Sequence, residues 1–133
     1  MSAAGESRWS WYQDAAGAKR DWYCEDVLSG TLAIRKVYED DLVLAFHHRD
    51  PEAAVHVVVV PKAHVASLLD REFLDGELLV AMVRAVQHVA RALGLDRAGF
   101  QLRANAAAPH VTPHVHWHVM GPTLPPAAEP KGR

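Results

Sequence analysis

The chain is poor in cysteine, in long apolar runs and in surplus charge, and each shortage removes a class of explanation. Cys24 is the single cysteine among 133 residues, so no internal disulfide can form and no Cys-x-x-Cys pair exists to build a structural metal site. No apolar stretch is long enough to span a bilayer. Residues 1–20, MSAAGESRWSWYQDAAGAKR, lack a basic start followed by an apolar core, which argues against a secretory signal. Lys and Arg number 14 against 16 Asp and Glu, for a formal net charge of −2. That near balance offers no reason to expect a nucleic-acid backbone or an anionic membrane as partner. The expectation is a cytoplasmic protein.

What the chain does have is apolar content and histidine. Half of the residues are hydrophobic, enough for a core, and the length fits one domain. Three of the nine histidines stand at alternate positions in PHVHWHVMG, residues 113–121: His114, His116 and His118.

Hydropathy patterning divides the chain into a flexible start at 1–20, a folded domain at 21–121 and a proline-rich tail at 122–133. The aromatics Trp9, Trp11 and Tyr12 of the first segment are read as docking on the domain. TLAIRKVYED (31–40) alternates, which predicts a strand with Leu32, Ile34 and Val37 inward and Arg35 outward. The acidic EDD at 39–41 reads as a tight turn into a second strand, LVLAFHH. VHVVVVPK is nearly continuous and β-branched, as in a strand covered on both faces, and Pro61 ends it. A short helical turn is expected at HVASLLD. Leu74, Leu78, Met82, Val86, Val89 and Leu93 then recur as one stripe of a long amphipathic helix closed by Gly94. GFQLRAN and HVHWHVM read as the last two strands. The order β-β-β, helix, β-β predicts an α+β domain with an antiparallel sheet.

Strand alternation puts His114, His116 and His118 on one side and Val115, Trp117 and Val119 on the core side. Three explanations fit the histidine side. It can be an exposed, histidine-rich sheet face. It can bind metal, with further ligands drawn from His64, Cys24, Asp21 and His110. Or it can be catalytic, since neutral imidazole is a nucleophile at neutral pH when its other ring nitrogen is held as a donor. Nothing in the spacing defines a ligand set, so neither a metal nor a cofactor is expected.

HVHWHVM resembles the signature of the histidine triad (HIT) family, His-x-His-x-His followed by two apolar residues. VYEDDLVLAF, HVVVVPKAHVASLLD and GFQLRAN resemble, in order, the hairpin, the VIPK-x-H strand end and the asparagine-ended strand of its Hint branch. The resemblance spans residues 22–121. It implies a five-stranded antiparallel sheet with one long and one short helix, dimerising through the long helix and a sheet edge. It also implies hydrolysis or transfer at the phosphorus of a nucleotide conjugate. By position His116 would be the nucleophile, flanked by His114 and His118 and joined by His64. Asn105, His48, His110 and Phe46 would lie on the substrate.

The sequence departs from that pattern in three places. Where many relatives have Cys-x-x-Cys it has Asp21 and Cys24. Where relatives have an aspartate that grips the ribose hydroxyls it has His48, whose neutral ring offers one acceptor; Asp50 is the fallback. In place of a Gly-rich loop it has AAAPHVTPH, with His110 at the glutamine position, Val111 at the hydroxyl position and Thr112 turned away. These departures keep a second reading open: the scaffold reassigned to a specialised metabolite, its histidines acting as acid/base groups or metal ligands. A third is a binding module with no need of His116 in particular. Elsewhere, His56 reads as a satisfied sheet histidine, His88 as a packing position on the helix, His47 as a neighbour of the pocket mouth, Lys62 as solvated and Trp117 as core.

Overall fold

The computed structural model describes residues 20–106 and 111–124. Trp9, Trp11, Tyr12, His110 and the greater part of the tail fall outside them. Five strands, β1 (Lys36–Glu39), β2 (Val43–His47), β3 (Val55–Pro61), β4 (Gln101–Ala104) and β5 (Trp117–Gly121), form one antiparallel sheet in the order β1-β2-β3-β5-β4. A long helix, α1 (Gly76–Ala92), and a short one, α2 (Leu95–Ala98), join β3 to β4. No helix among the described residues is long and apolar enough to cross a membrane.

The sheet is covered on both faces at its centre, as the β-branched run predicts. Val57 and Val59 of β3, with Val43 and Ala45 of β2, meet Leu78, Ala81, Met82, Ala85, Val86 and Val89 of α1. The alternate residues Val58, Val60, Leu44 and Phe46 meet Trp22, Tyr23 and Val27 from the N-terminal segment. That segment makes one wide helical turn, Tyr23–Val27, and then runs along the sheet, where Leu32 and Ile34 pack on the same side.

Several elements differ from the sequence reading. The strand expected across 31–40 enters the ladder only at Lys36, and a bulge between Lys36 and Tyr38 shifts its register. Leu32 and Ile34 consequently face the N-terminal cluster while Val37 faces α1. Leu74 is 83% exposed and precedes the helix, because Asp75 ends the loop by accepting the Leu78 N–H at 3.0 Å as an N-cap. HVASLLD forms turns, and the helical turn comes later, at Arg71–Phe73. Gly94 does end α1, in the left-handed region at φ 76°, before the unanticipated α2. Lys62 is held by Glu39 at 2.6 Å. The acidic turn forms as expected: Asp40 Oδ1 accepts from Leu42 and Val43 N–H at 2.8 Å each.

The end of β5 is locked by a close backbone approach. A Cβ at Gly121 would lie 2.6 Å from the Gly99 carbonyl oxygen and 2.8 Å from Leu95 Cδ2. Backbone cannot yield as a side-chain tip can, so Gly121→Ala is expected to lower stability by about 1–3 kcal/mol. Urea unfolding should show this as a lower midpoint at unchanged slope.

Candidate functional site

The triad lies at the junction of β5 and the segment leading into it. The ladder proper starts at Trp117, but alternation extends further back: Val115 N–H donates to the Val65 carbonyl at 2.7 Å. Val115 and Val119 join the α1 core, with Trp117 packed against it and edge-on to Phe73. His114, His116 and His118 are buried, at 0%, 6% and 6% exposure, so the exposed-face reading is set aside. Tyr23 lies over them, its ring centroid 5.8 Å from His114 and 5.2 Å from His116.

Hydrogen bonds determine which nitrogen of each ring carries the proton. His116 Nδ1 lies 2.7 Å from the His114 carbonyl. A carbonyl only accepts, so Nδ1 is the N–H and Nε2 of the neutral ring keeps its lone pair. A second chain of bonds fixes His118. The Glu52 backbone N–H donates to His56 Nδ1 at 3.0 Å, so the His56 proton is on Nε2. That nitrogen is 2.8 Å from His118 Nδ1, and therefore His118 carries its own proton on Nε2. His118 stands edge-on to His116, with centroids 5.1 Å apart. The site thus pairs a lone pair with a neutral N–H donor.

Burial keeps the second chain neutral. Desolvation, then the neighbouring His116, His56 and His48, hold His118 down at about 2. Desolvation, then His48, holds His56 at about 4. His56, read from sequence as merely satisfied, is the residue that orients His118. The available signal was its strand parity: it shares a face with Val58, which is paired with His118.

The HIT domain family model matches residues 31–123. The chain belongs to the HIT family. An uncharacterised HIT-like protein of Synechococcus elongatus is 35% identical over 104 residues, 73% of this chain and 90% of that protein. A histidine triad protein from Clostridium difficile, 32% identical, superposes with TM-score 0.68 over 80% of this chain and 94% of that one. A HIT family hydrolase from Legionella pneumophila, 28% identical, does so with TM-score 0.66 over 74% and 89%. Asp21, Trp22, Tyr23 and Cys24 precede the matched span.

Within this HIT fold, His64 and His114 gather in a second cluster. His114 Nε2 donates to the Pro61 carbonyl at 2.8 Å, which leaves the Nδ1 lone pair facing Asp21 Oδ2 at 3.1 Å and Cys24 Sγ at 3.3 Å. Asp21 Oδ2 is also 2.7 Å from His64 Nδ1. Burial works to raise the Asp21 carboxyl, and the Cys24 backbone N–H, which donates to Oδ1 at 3.1 Å, works to lower it. Burial, then Asp21, pushes the Cys24 thiol up to about 12. The four ligand atoms lie within 4.8 Å of one another. A carboxylate and an imidazole lone pair converging on one point need a proton or a cation between them, and this donor set suits tetrahedral zinc. Asp21 fills the position whose missing cysteine had weighed against a metal. His48, His56 and His118 also lie close together, but His48 Nδ1 accepts the Asp50 N–H at 2.8 Å. Its neutral ring, like that of His56, therefore has its proton on Nε2, and this cluster presents protons where a metal needs lone pairs.

The other sequence candidates divide. Phe46 is buried against Trp22 and Tyr23. His48 stacks on His56 with centroids 4.2 Å apart. The acceptor that the sequence reading granted His48 is already taken by Asp50. Asn105 is exposed just beyond β4, where the Ala104–Trp117 pairing brings it level with His116. His47 lines a cleft beside the site, and His88 packs on Tyr38 at 4.9 Å.

Two tests follow from these clusters. Lowered histidine values mean that the unfolded chain binds protons first, so stability is present above the ordinary value of 6.5 and declines as pH falls toward 4. In His56→Gln the loss between about pH 7.5 and 4.5 should shrink by about 2 kcal/mol, measured by chemical denaturation. Zinc should purify with the protein and be seen by elemental analysis. Its removal by a chelator should lower the unfolding midpoint by about 5 °C or more, an effect absent in Cys24→Ala.

Proposed function

We propose that this HIT-family chain is a hydrolase or transferase acting at the phosphorus of a nucleotide conjugate, a phosphoramidate or nucleotidyl ester, with His116 as nucleophile. The observation that carries this reading is the 2.7 Å bond from His116 Nδ1 to the His114 carbonyl. It holds the ring on rigid backbone with the proton on Nδ1 and the lone pair on Nε2. Two of the similar structures are described as HIT family hydrolases.

In the proposed reaction His116 Nε2 attacks phosphorus, a P–N bond to the imidazole forms, and the bond to the leaving nitrogen or oxygen breaks. The leaving atom takes a proton from solvent. Water then attacks phosphorus, the P–imidazole bond breaks, and the proton released restores the balance. The His118 Nε2–H, neutral and fixed by His56, donates to a phosphate oxygen as charge builds there. His114 contributes its carbonyl. Asn105 is assigned to the substrate from its position opposite His116. Zinc held by Asp21, Cys24, His64 and His114 would have a full set of ligands and so a structural role, fastening the N-terminal turn against the strand ends.

The proposal includes a homodimer in the cytoplasm. Val80 and Val83 stand outward from α1 at 54% and 47% exposure. β4 is an edge strand with Leu102 exposed at 47%. These apolar positions suit burial against a second copy.

The reading is tested with adenosine phosphoramidate as substrate. Wild type should release ammonia and AMP, and His116→Gly should lose at least about a thousandfold in kcat/KM. Added imidazole should restore part of that loss, which a merely structural role for His116 would not allow. Absence of turnover by the wild type, together with absence of AMP binding, would refute the proposal.

A further inference from the structure

Beside the triad runs a cleft of about 320 Å³. Trp22, Leu32 and Phe46 supply its apolar wall, and Arg35, Arg49, His47 and His48 its polar one. His48 connects this cleft to the reacting group, because its ring lies 4.2 Å from that of His56 and 5.7 Å from that of His118.

The hydrogen-bonding sense of His48 is fixed by the backbone. An amide N–H can only donate, and the Asp50 N–H reaches His48 Nδ1 at 2.8 Å. The neutral ring then has one polar atom left for a ligand, Nε2, and that atom carries the proton. Burial, the largest influence on this ring, favours the neutral form, though the Asp50 and Glu52 carboxylates pull the other way. Glu52 is itself paired with Arg103 at 3.1 Å. Of the other polar residues lining the wall, Arg35 and Arg49 carry guanidinium groups, which also only donate, and His47 completes the set. A ribose diol has two hydroxyl hydrogens that the His48, Arg35 and Arg49 donors cannot accept, and its uncharged oxygens are weaker acceptors for them than those of a phosphate or carboxylate.

We propose that this cleft holds the part of the substrate remote from phosphorus through an anionic acceptor oxygen, such as that of a phosphate or carboxylate, in preference to a vicinal diol. The inference rests on the nucleotide reading above and ranks substrates within it, those whose sugar, or the group in its place, carries an anionic oxygen being held more tightly than those with a free diol. The size and apolar wall of the cleft suit a flat ring attached to that group.

Calorimetric titration of wild type with three ligands tests this. They are AMP, AMP with a second phosphate on the ribose, and AMP with its ribose hydroxyls capped as a ketal. Wild type should bind at least one of the two modified ligands as tightly as AMP or more so. His48→Asp, which replaces the donor with an acceptor, should shift the ratio toward AMP by about tenfold. His48→Asn, which offers both a donor and an acceptor, should fall between them and serves if the aspartate variant does not fold. Wild type binding AMP about tenfold better than both modified ligands, or a ratio that no His48 variant moves, would overturn the inference and leave the nucleotide reading standing. If wild type binds none of the three and does not turn over adenosine phosphoramidate, both fall together; binding none of them while turning it over overturns this inference alone.

Discussion

A neutral imidazole has one nitrogen that donates and one that accepts, and most of the site follows from which partner claims which nitrogen. His114 and His116 give a proton to carbonyls, of Pro61 and His114 respectively, and each keeps a lone pair on the opposite nitrogen. His48 and His56 accept hydrogen bonds from backbone N–H groups at Nδ1 and so carry their own N–H on Nε2. For His48, His56 and His118, desolvation also works against protonation. Rings of one chemical type are thereby sorted by main-chain atoms alone, two with the lone pair and two with the N–H on the outward nitrogen.

That sorting depends on the sheet being covered on both sides. Helix α1 covers one face through an all-apolar stripe, which holds β5 and the segment before it at a definite height over the core. Trp22, Tyr23 and Val27 cover the other, and the same turn delivers Asp21 and Cys24 to His114. The N-terminal turn thus serves at once as a lid on the sheet and as half of a candidate metal site. A cation there would link chain segments far apart in sequence, a cross-link whose effect on stability arises largely by restricting the unfolded chain.

Much of this was legible beforehand because it is local and periodic. The face shared by His114, His116 and His118, the stripe from Leu78 to Val89 and the turn at Asp40 each follow from repeats of about two or 3.6 residues and from turn chemistry. The family resemblance lay in contiguous residues and was readable for the same reason. What failed was also local: Leu74 continues the helical period but lies before the Asp75 cap, and Leu32 and Ile34 alternate correctly but on the far side of a bulge. A period says which residues share a face; it does not say where a ladder begins or which face it will present.

The sequence by itself determined the antiparallel α+β architecture, the two-sided final strand and the presence of a histidine whose neighbours could orient it. Only the tertiary structure decided what each histidine can do. His118 is oriented by His56, 62 residues away, and His114 faces Asp21, 93 residues away. His48 loses its acceptor to a loop amide two residues on, a contact that depends on how the chain turns between β2 and β3. Proton placement on imidazole is a property of three-dimensional partners, and those partners come together only when the sheet closes.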